Sequence, residues 1–560
     1  MAGIIINPLS PPLQLITKVS TSVPAPLVYG GAGTPGGTGL ASDANHVHPL
    51  SYPPNLGLGG MVFTEIYKRA WFDGATQFYR LMPPSLQWVN DPFDDPAMGR
   101  FTNLTSDNLG VFAIAGGQAT IMHTAGLAHS NHIYEGASIA PAPQVMTSID
   151  IVSRAGAAPA GSEQFRLGIL LGVNDYVEAR IDVVANTCSI QVKIGGASTF
   201  LGSVGIAWAT PYTIALSIVG NSACVYRYAA GTWTYITGAD LTTAAPPLDL
   251  KAAVLANWYG CFGLVSDASV TKTWTIDNFQ IGRFGGTAAR DWCVITNEDG
   301  SAQIAGSVVR TLATLVDPRG VGCMGLFTAD LKKKTFVQSS LIFVNDGAGR
   351  IQNYLAGHMI LYPSGDQLLS VSTWNSGAPI RIVQKLELFA TQDLTTGTKV
   401  IAGMATLALT VLPAGGSQWD PFMIKQAGTW YMAYTASPVA PNMFFPCLDS
   451  SLNLIAWANV GSDTSATSYE GTRILPIAGA SYVVAGGPFD MRYYDLAMVY
   501  QGLINVISPG NGTTKPHAMI FPDPLVRLYW LLTFDEQTWP LASGVQFAWG
   551  WIRLFASSLN

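Results

Sequence analysis

Charge is scarce in this chain. Only 11% of its 560 residues are Asp, Glu, Lys or Arg, against about 25% in an ordinary soluble domain. The 29 basic residues are outnumbered by 35 acidic ones, which excludes a nucleic-acid partner held by net positive charge. Cysteine is scarce too. Cys188, Cys224, Cys261, Cys293, Cys323 and Cys447 are scattered, with no C-x-x-C pair. That leaves out a zinc ribbon and a redox dithiol and predicts buried free thiols. Long apolar runs are missing. The longest, residues 401–412, falls short of the roughly 20 residues a spanning helix needs, so no membrane insertion is expected. Residues 1–12 carry no basic cluster and are broken by Pro8, Pro11 and Pro12, so no secretory leader is expected. Core material is plentiful, at 49% hydrophobic. This excludes a disordered chain, and the length points to several domains.

The first 60 residues hold nine Pro, ten Gly and only two charges, Lys18 and Asp43. Such a stretch cannot bury a core of its own. Its apolar residues, among them Ile4, Ile5, Ile6 and Leu13, predict ordering against partner chains.

Residues 61–284 read as β structure. In Tyr176-Val-Glu-Ala-Arg-Ile-Asp-Val183, Val177, Ala179 and Ile181 face one way and Glu178, Arg180 and Asp182 the other. A turn at Asn186-Thr187 leads into a second alternating run through Ile190, Val192 and Ile194, so a hairpin with one wet face is expected. A second hairpin runs from Tyr212 through Gly220-Asn221 to Tyr228, and residues 274–281 read as a closing strand. Many short strands without a helical period mean a sandwich or jelly roll. The elements Asn174-Asp-Tyr-Val177, Val219-Gly-Asn221, Gly231-Thr-Trp233 and Asp277-Asn-Phe279 resemble a concanavalin-like (laminin-G-like) jelly roll.

Residues 285–560 change rhythm. A turn, an Asp-Pro or His, and paired apolar strands recur at Val316-Asp-Pro318, His358-Met-Ile-Leu361, Trp419-Asp-Pro-Phe422, Gly487-Pro-Phe-Asp490 and His517-Ala-Met-Ile520. Five irregular copies of a multi-stranded unit predict a five-bladed β-propeller. The third copy resembles the five-bladed propellers of arabinanase- and fructosidase-type glycoside hydrolases. The whole is therefore expected to be all-β: an attachment segment (1–60), a jelly roll (61–284) and a propeller (285–560).

The resemblance to hydrolases implies inner-strand Asp residues with a Glu as acid. Asp317 and Asp420 match the Asp-Pro pattern. The acid is harder to place, because this region has only Glu298, Glu387, Glu470 and Glu536, and Gly486-Gly-Pro488 stands where Glu-Gly-Pro is sought. Glu470 is the candidate. The alternative is that Asp-Pro merely shapes a turn. Sugar binding without hydrolysis asks for less, since aromatic rings suit sugar faces. Its candidates are Trp419, expected to be exposed, Asp420, Trp374 and the rim histidines His358 and His517. His129 and His132 are read as an exposed pair.

One short motif stands apart: Gly37-Thr-Gly-Leu-Ala-Ser-Asp-Ala-Asn-His-Val-His-Pro49. His46 and His48 share one side of an extended strand. Two nitrogens make a poor metal site, while three chains about an axis would supply six. The alternative is a pair of histidines that only pack. The segment resembles one found in bacteriophage tail-fibre, spike and tail-tip proteins. That resemblance implies a virion protein of the tail or baseplate, a homotrimer contacting other tail proteins, and iron or another transition metal held by His46 and His48 at the trimer axis. The expected function is adhesion to a host-surface glycan. Two alternatives stay open: a tailspike-like depolymerase using Asp317, Asp420 and Glu470, and a purely structural tail-tip subunit.

Overall fold

The computed structural model describes Leu58 and residues 61–558, apart from 71–86, 97–100, 104–110, 127–128, 131, 136–143, 158–160, 172–174, 230–231, 252–257, 268, 286–287, 375–378, 412–414, 439–442, 478, 488–489, 508–516, 518, 524–527 and 535–550. The segment 1–57, with His46 and His48, lies outside the described residues. The chain is all-β. Two eight-stranded antiparallel sheets face each other between residues 87 and 282, and five further sheets make up the propeller. Among the described residues no helix is long and apolar enough to cross a membrane.

The sandwich forms where alternation requires it. Tyr176–Asp182 pairs antiparallel with Thr187–Ile194, and Tyr212–Val219 with Ser222–Ala229, as the two predicted hairpins demand. Val177, Ala179 and Ile181 enter a shared core with Ile149, Leu216, Trp274 and Phe279 of the facing sheet. The opposite face is not wet, however. Glu178 is completely buried. It bonds to His132 at 2.7 Å and pairs with Arg166 and Arg180. Gly168 makes room for it, because a Cβ there would lie 2.6 Å from the Glu178 Cβ. His132, expected in an exposed pair, is buried beside Tyr176.

The propeller begins before the sandwich. Val62–Ala70 pairs antiparallel with Trp551–Ser558, the last of the described strands, and parallel with Asn505–Ile507. Residues 62–70, grouped above with the sandwich, therefore belong to the propeller sheet, and the sandwich is inserted between that strand and the first blade. The inner strands of the five blades are Ala288–Val294, Leu355–Leu361, Ser417–Gln426, Glu470–Ile477 and Met519–Asp523. Each neighbours the next, and the fifth returns to the first, closing a ring. The fourth blade thus starts at Glu470. The predicted start at Gly487 falls inside it, because the turn signal there belongs to a loop between its second and third strands.

Sandwich and first blade meet through one buried hydrogen bond and through contacts nearer the surface. Cys323 Sγ donates to Gln144 Oε1 at 2.7 Å. Arg350 bonds Asp249 at 2.7 Å, and the Ile351 N–H donates to the Lys251 carbonyl.

Candidate functional site at the propeller axis

Each blade carries a residue in the left-handed region near the start of its inner strand: Asp291 (φ 54°), Ala356 (49°), Asp420 (59°), Gly471 (65°) and His517 (69°). In the first four blades the pairing register slips at this point, between Arg290 and Cys293, Leu355 and His358, Trp419 and Phe422, and Glu470 and Arg473. These are β-bulges. An inserted residue bends the strand and re-aims its side chain, and left-handed backbone away from Gly and Asn is uncommon enough to mark a constrained position. Five such positions around one ring bring the chain's polar residues together at the axis.

The resulting cluster is tightly bonded. His517 Nε2 lies 3.3 Å from Asp291 Oδ1 and 3.3 Å from Asp420 Oδ2. The two carboxylates therefore sit on one imidazole, no further apart than the two contacts allow. Arg473, fully buried on the fourth inner strand, donates from Nη2 to His517 Nδ1 and from Nη1 to the Asp420 carbonyl. The Gly471 N–H donates to Asp420 Oδ2 at 2.9 Å, and the Asp420 N–H to Ser372 Oγ. Burial alone would raise the Asp420 pKa. His517 and Arg473 outweigh it and hold the carboxyl below the usual Asp range.

Of the predicted residues, Asp420 and His517 meet at the axis. Glu470 directly precedes Gly471, whose N–H bonds Asp420. The positions expected of Asp317, His358 and Trp419 are corrected. Asp317 caps the hairpin turn after Val308–Val316, accepting the N–H groups of Arg319 and Val321 at 2.9 Å, with Cys224 Sγ at 3.5 Å. Its Pro shapes that turn. His358 is no rim residue: it is buried, stacks on Phe422 at 3.9 Å, accepts the Met423 N–H at Nδ1 and bonds Thr296 Oγ1. Burial, with the nearby Arg473 charge, drives its pKa well below the usual value. Trp419 is buried, 7% exposed, beside Trp374 and Phe444. Its indole N–H has no acceptor among the described residues. Trp374 is half-buried.

Two residues of the cluster escaped the sequence reading, Asp291 and Arg473. Asp291 stands in Arg-Asp-Trp, at the same position of its bulge that Trp-Asp-Pro gives Asp420. The shared Asp-aromatic pairing was the available signal. Among the described residues no group of three or more His, Cys, Asp and Glu is arranged to hold a metal ion.

No family model and no curated protein matches the chain. Solved structures with some likeness include a levansucrase from Bacillus subtilis, with 9% identity over 49% of this chain and 86% of that one at TM-score 0.34. An α-L-arabinofuranosidase from Podospora anserina in complex with cellotriose shows 12% identity over 48% and 90% at TM-score 0.31. A carbohydrate binding module from Bacillus subtilis shows 13% identity over 33% and 95% at TM-score 0.23. At these values the likeness assigns no role to any residue of this chain.

Proposed function

We propose that this chain is a glycan-recognising protein of a phage tail or baseplate, with its sugar site at the mouth of the propeller axis. One observation carries the glycan half: Asp291 and Asp420 meet on His517 at the axis, and Trp419, next to Asp420 in the chain, has a buried N–H without an acceptor among the described residues. Fixed carboxylates beside an aromatic wall are what sugar hydroxyls and ring faces require. A buried donor without a partner costs about 1–3 kcal/mol, which a ligand hydroxyl would recover. The virion half rests on the resemblance of residues 37–49, with His46 and His48 as metal ligands in a homotrimer that contacts other tail proteins. Adhesion to the host surface follows from the two together.

A second reading, cleavage of the bound polysaccharide, is favoured by the same carboxylates. Hydrolysis of a glycosidic bond needs one carboxylic acid to protonate the leaving oxygen and one carboxylate to attack the anomeric carbon or activate water. In this reading Glu470 would take the first role and Asp291 the second. Asp420, kept ionised by His517 and Arg473, would stabilise positive charge developing on the sugar.

The test incubates the protein with host cell-surface polysaccharide and follows retention and new reducing ends together. Retention without new ends supports adhesion. New ends that disappear in Glu470→Gln, with retention kept, make the chain a depolymerase. Neither result leaves the structural tail-tip subunit.

A further inference from the structure

A concave feature lies apart from the axial cluster. Between the first and second blades lies a cleft of about 260 Å³. Its apolar lining includes Tyr354, Val383 and Met404, and its polar lining Thr373, Arg381 and Thr406. Tyr354 and Thr373 flank Leu355 and its pairing partner Ser372, next to Ala356, so the cleft opens at the same end as the axial mouth.

The Arg381 guanidinium is fixed. Nη1 donates to the carbonyls of Ile380 at 2.9 Å and Gly416 at 2.7 Å, while Nε and Nη2 have no acceptor among the described residues. Thr373 Oγ1 holds the Arg381 N–H at 2.8 Å, which ties the backbone of this wall to the second blade. Asp346, also on the wall, is anchored by Gln352 at 2.7 Å and by two backbone N–H groups. Its charge offsets that of Arg381, which favours a neutral ligand over an anion. The volume lies at the small end for a ligand site, enough for one or two rings and too small for a peptide helix or a long chain. Apolar contact from Tyr354, Val383 and Met404, with pre-positioned donors at the rim, matches a sugar ring with its apolar face and outward hydroxyls.

We infer that this cleft is a second saccharide subsite, holding a neutral sugar unit of the same glycan whose other part enters the axial mouth. The inference rests on the glycan reading above and adds direction to it: the bound chain runs from the axis outward along the seam between the first two blades.

The experiment is calorimetric titration of the full chain with cello-, xylo- and fructo-oligosaccharides of one to six units, and with host polysaccharide. Thr406→Trp fills the cleft from an exposed position and leaves the core untouched; Arg381→Ala removes the free donors. The expected result is that wild-type affinity in one series rises with length, that both variants weaken the long members about ten-fold, and that the shortest binding member is unaffected. Unchanged length dependence in the variants overturns the subsite and leaves the glycan reading standing. Equal loss at every length also overturns it. Absence of wild-type binding to every probe removes the glycan reading and the subsite with it.

Discussion

Arg473 donates from its guanidinium to Nδ1 of His517, and that bond settles where the imidazole keeps its proton. A guanidinium has no acceptor. Nδ1 must therefore be bare, and the remaining N–H sits on Nε2, facing Asp291 and Asp420 at 3.3 Å each. Four blades, the first, third, fourth and fifth, are joined through one ring. Arg473→Met removes the donor and leaves buried carboxylates short of compensating charge. A loss of roughly 3–5 kcal/mol is expected, read as a lower midpoint in urea unfolding. A midpoint shift worth under about 1 kcal/mol would show that the cluster does not hold the ring.

Glu178 gives the sandwich an acid-sensitive point. Burial would raise its pKa, but Arg166, Arg180 and His132 together hold it far below the usual Glu range. A depressed folded pKa contributes stability that is full above the unfolded value, about 4.3, and lost as pH falls below it. Glu178→Gln is expected to lose about 3 kcal/mol at pH 7, and the gap to wild type should narrow below about pH 4. Stability curves of the two proteins between pH 3 and pH 7 decide it; a constant gap counts against the ion-pair account.

Phe63 tests the strand that closes the propeller. It is fully buried in the core that unites Trp530, Leu531 and Phe555. Phe63→Ala should cost about 3–5 kcal/mol, and limited proteolysis should then cut first within the fifth blade. Cleavage confined to the sandwich would contradict the pairing of Val62–Ala70 with Trp551–Ser558.

The five left-handed positions predict opposite signs for two small substitutions. Gly471→Ala places a Cβ on left-handed backbone and should lose about 1 kcal/mol or more. Ala356→Gly relieves that strain and should be neutral or stabilising by up to about 1 kcal/mol, whereas Ala→Gly in an ordinary strand loses about 0.5–1 kcal/mol. Urea midpoints of the two variants check the pair.

All six thiols are buried, and burial pushes Cys293 up to about 11 and Cys188 up to about 12. Thiol reagents act on thiolates. At pH 8 the folded protein should leave an aromatic disulfide reagent unreacted, and six equivalents should appear on unfolding. Rapid reaction of any thiol in the folded protein would show that its strand opens.

The hairpins of the sandwich were legible because alternation of apolar and polar residues fixes strand faces directly. Alternation does not say whether a polar face is covered. It predicts Glu178 and Arg180 wet, yet they are buried by neighbours such as His132 from a distant stretch. At the axis, Asp420 was legible through Trp-Asp-Pro, but the same dipeptide at Asp317 serves a turn, and Asp291 has no proline to mark it. What unites Asp291, Asp420 and His517 is backbone handedness and position in a ring. Neither leaves a local trace in composition. The pairing of residues 62–70 with the final strand was invisible for the same reason, since no local pattern names a partner so far along the chain.

That pairing also governs how the protein is made. Val62–Ala70 leaves the ribosome long before its antiparallel partner Trp551–Ser558. At ordinary elongation rates the wait is on the order of a minute. Throughout that interval an early strand offers unpaired backbone edges, the surface on which chains pair with one another in error. The sandwich, complete in sequence once Lys272–Gly282 has been synthesised, can fold within the waiting period, and the ring then closes over a finished domain. Slow, concentration-sensitive maturation is thus built into the order of the strands.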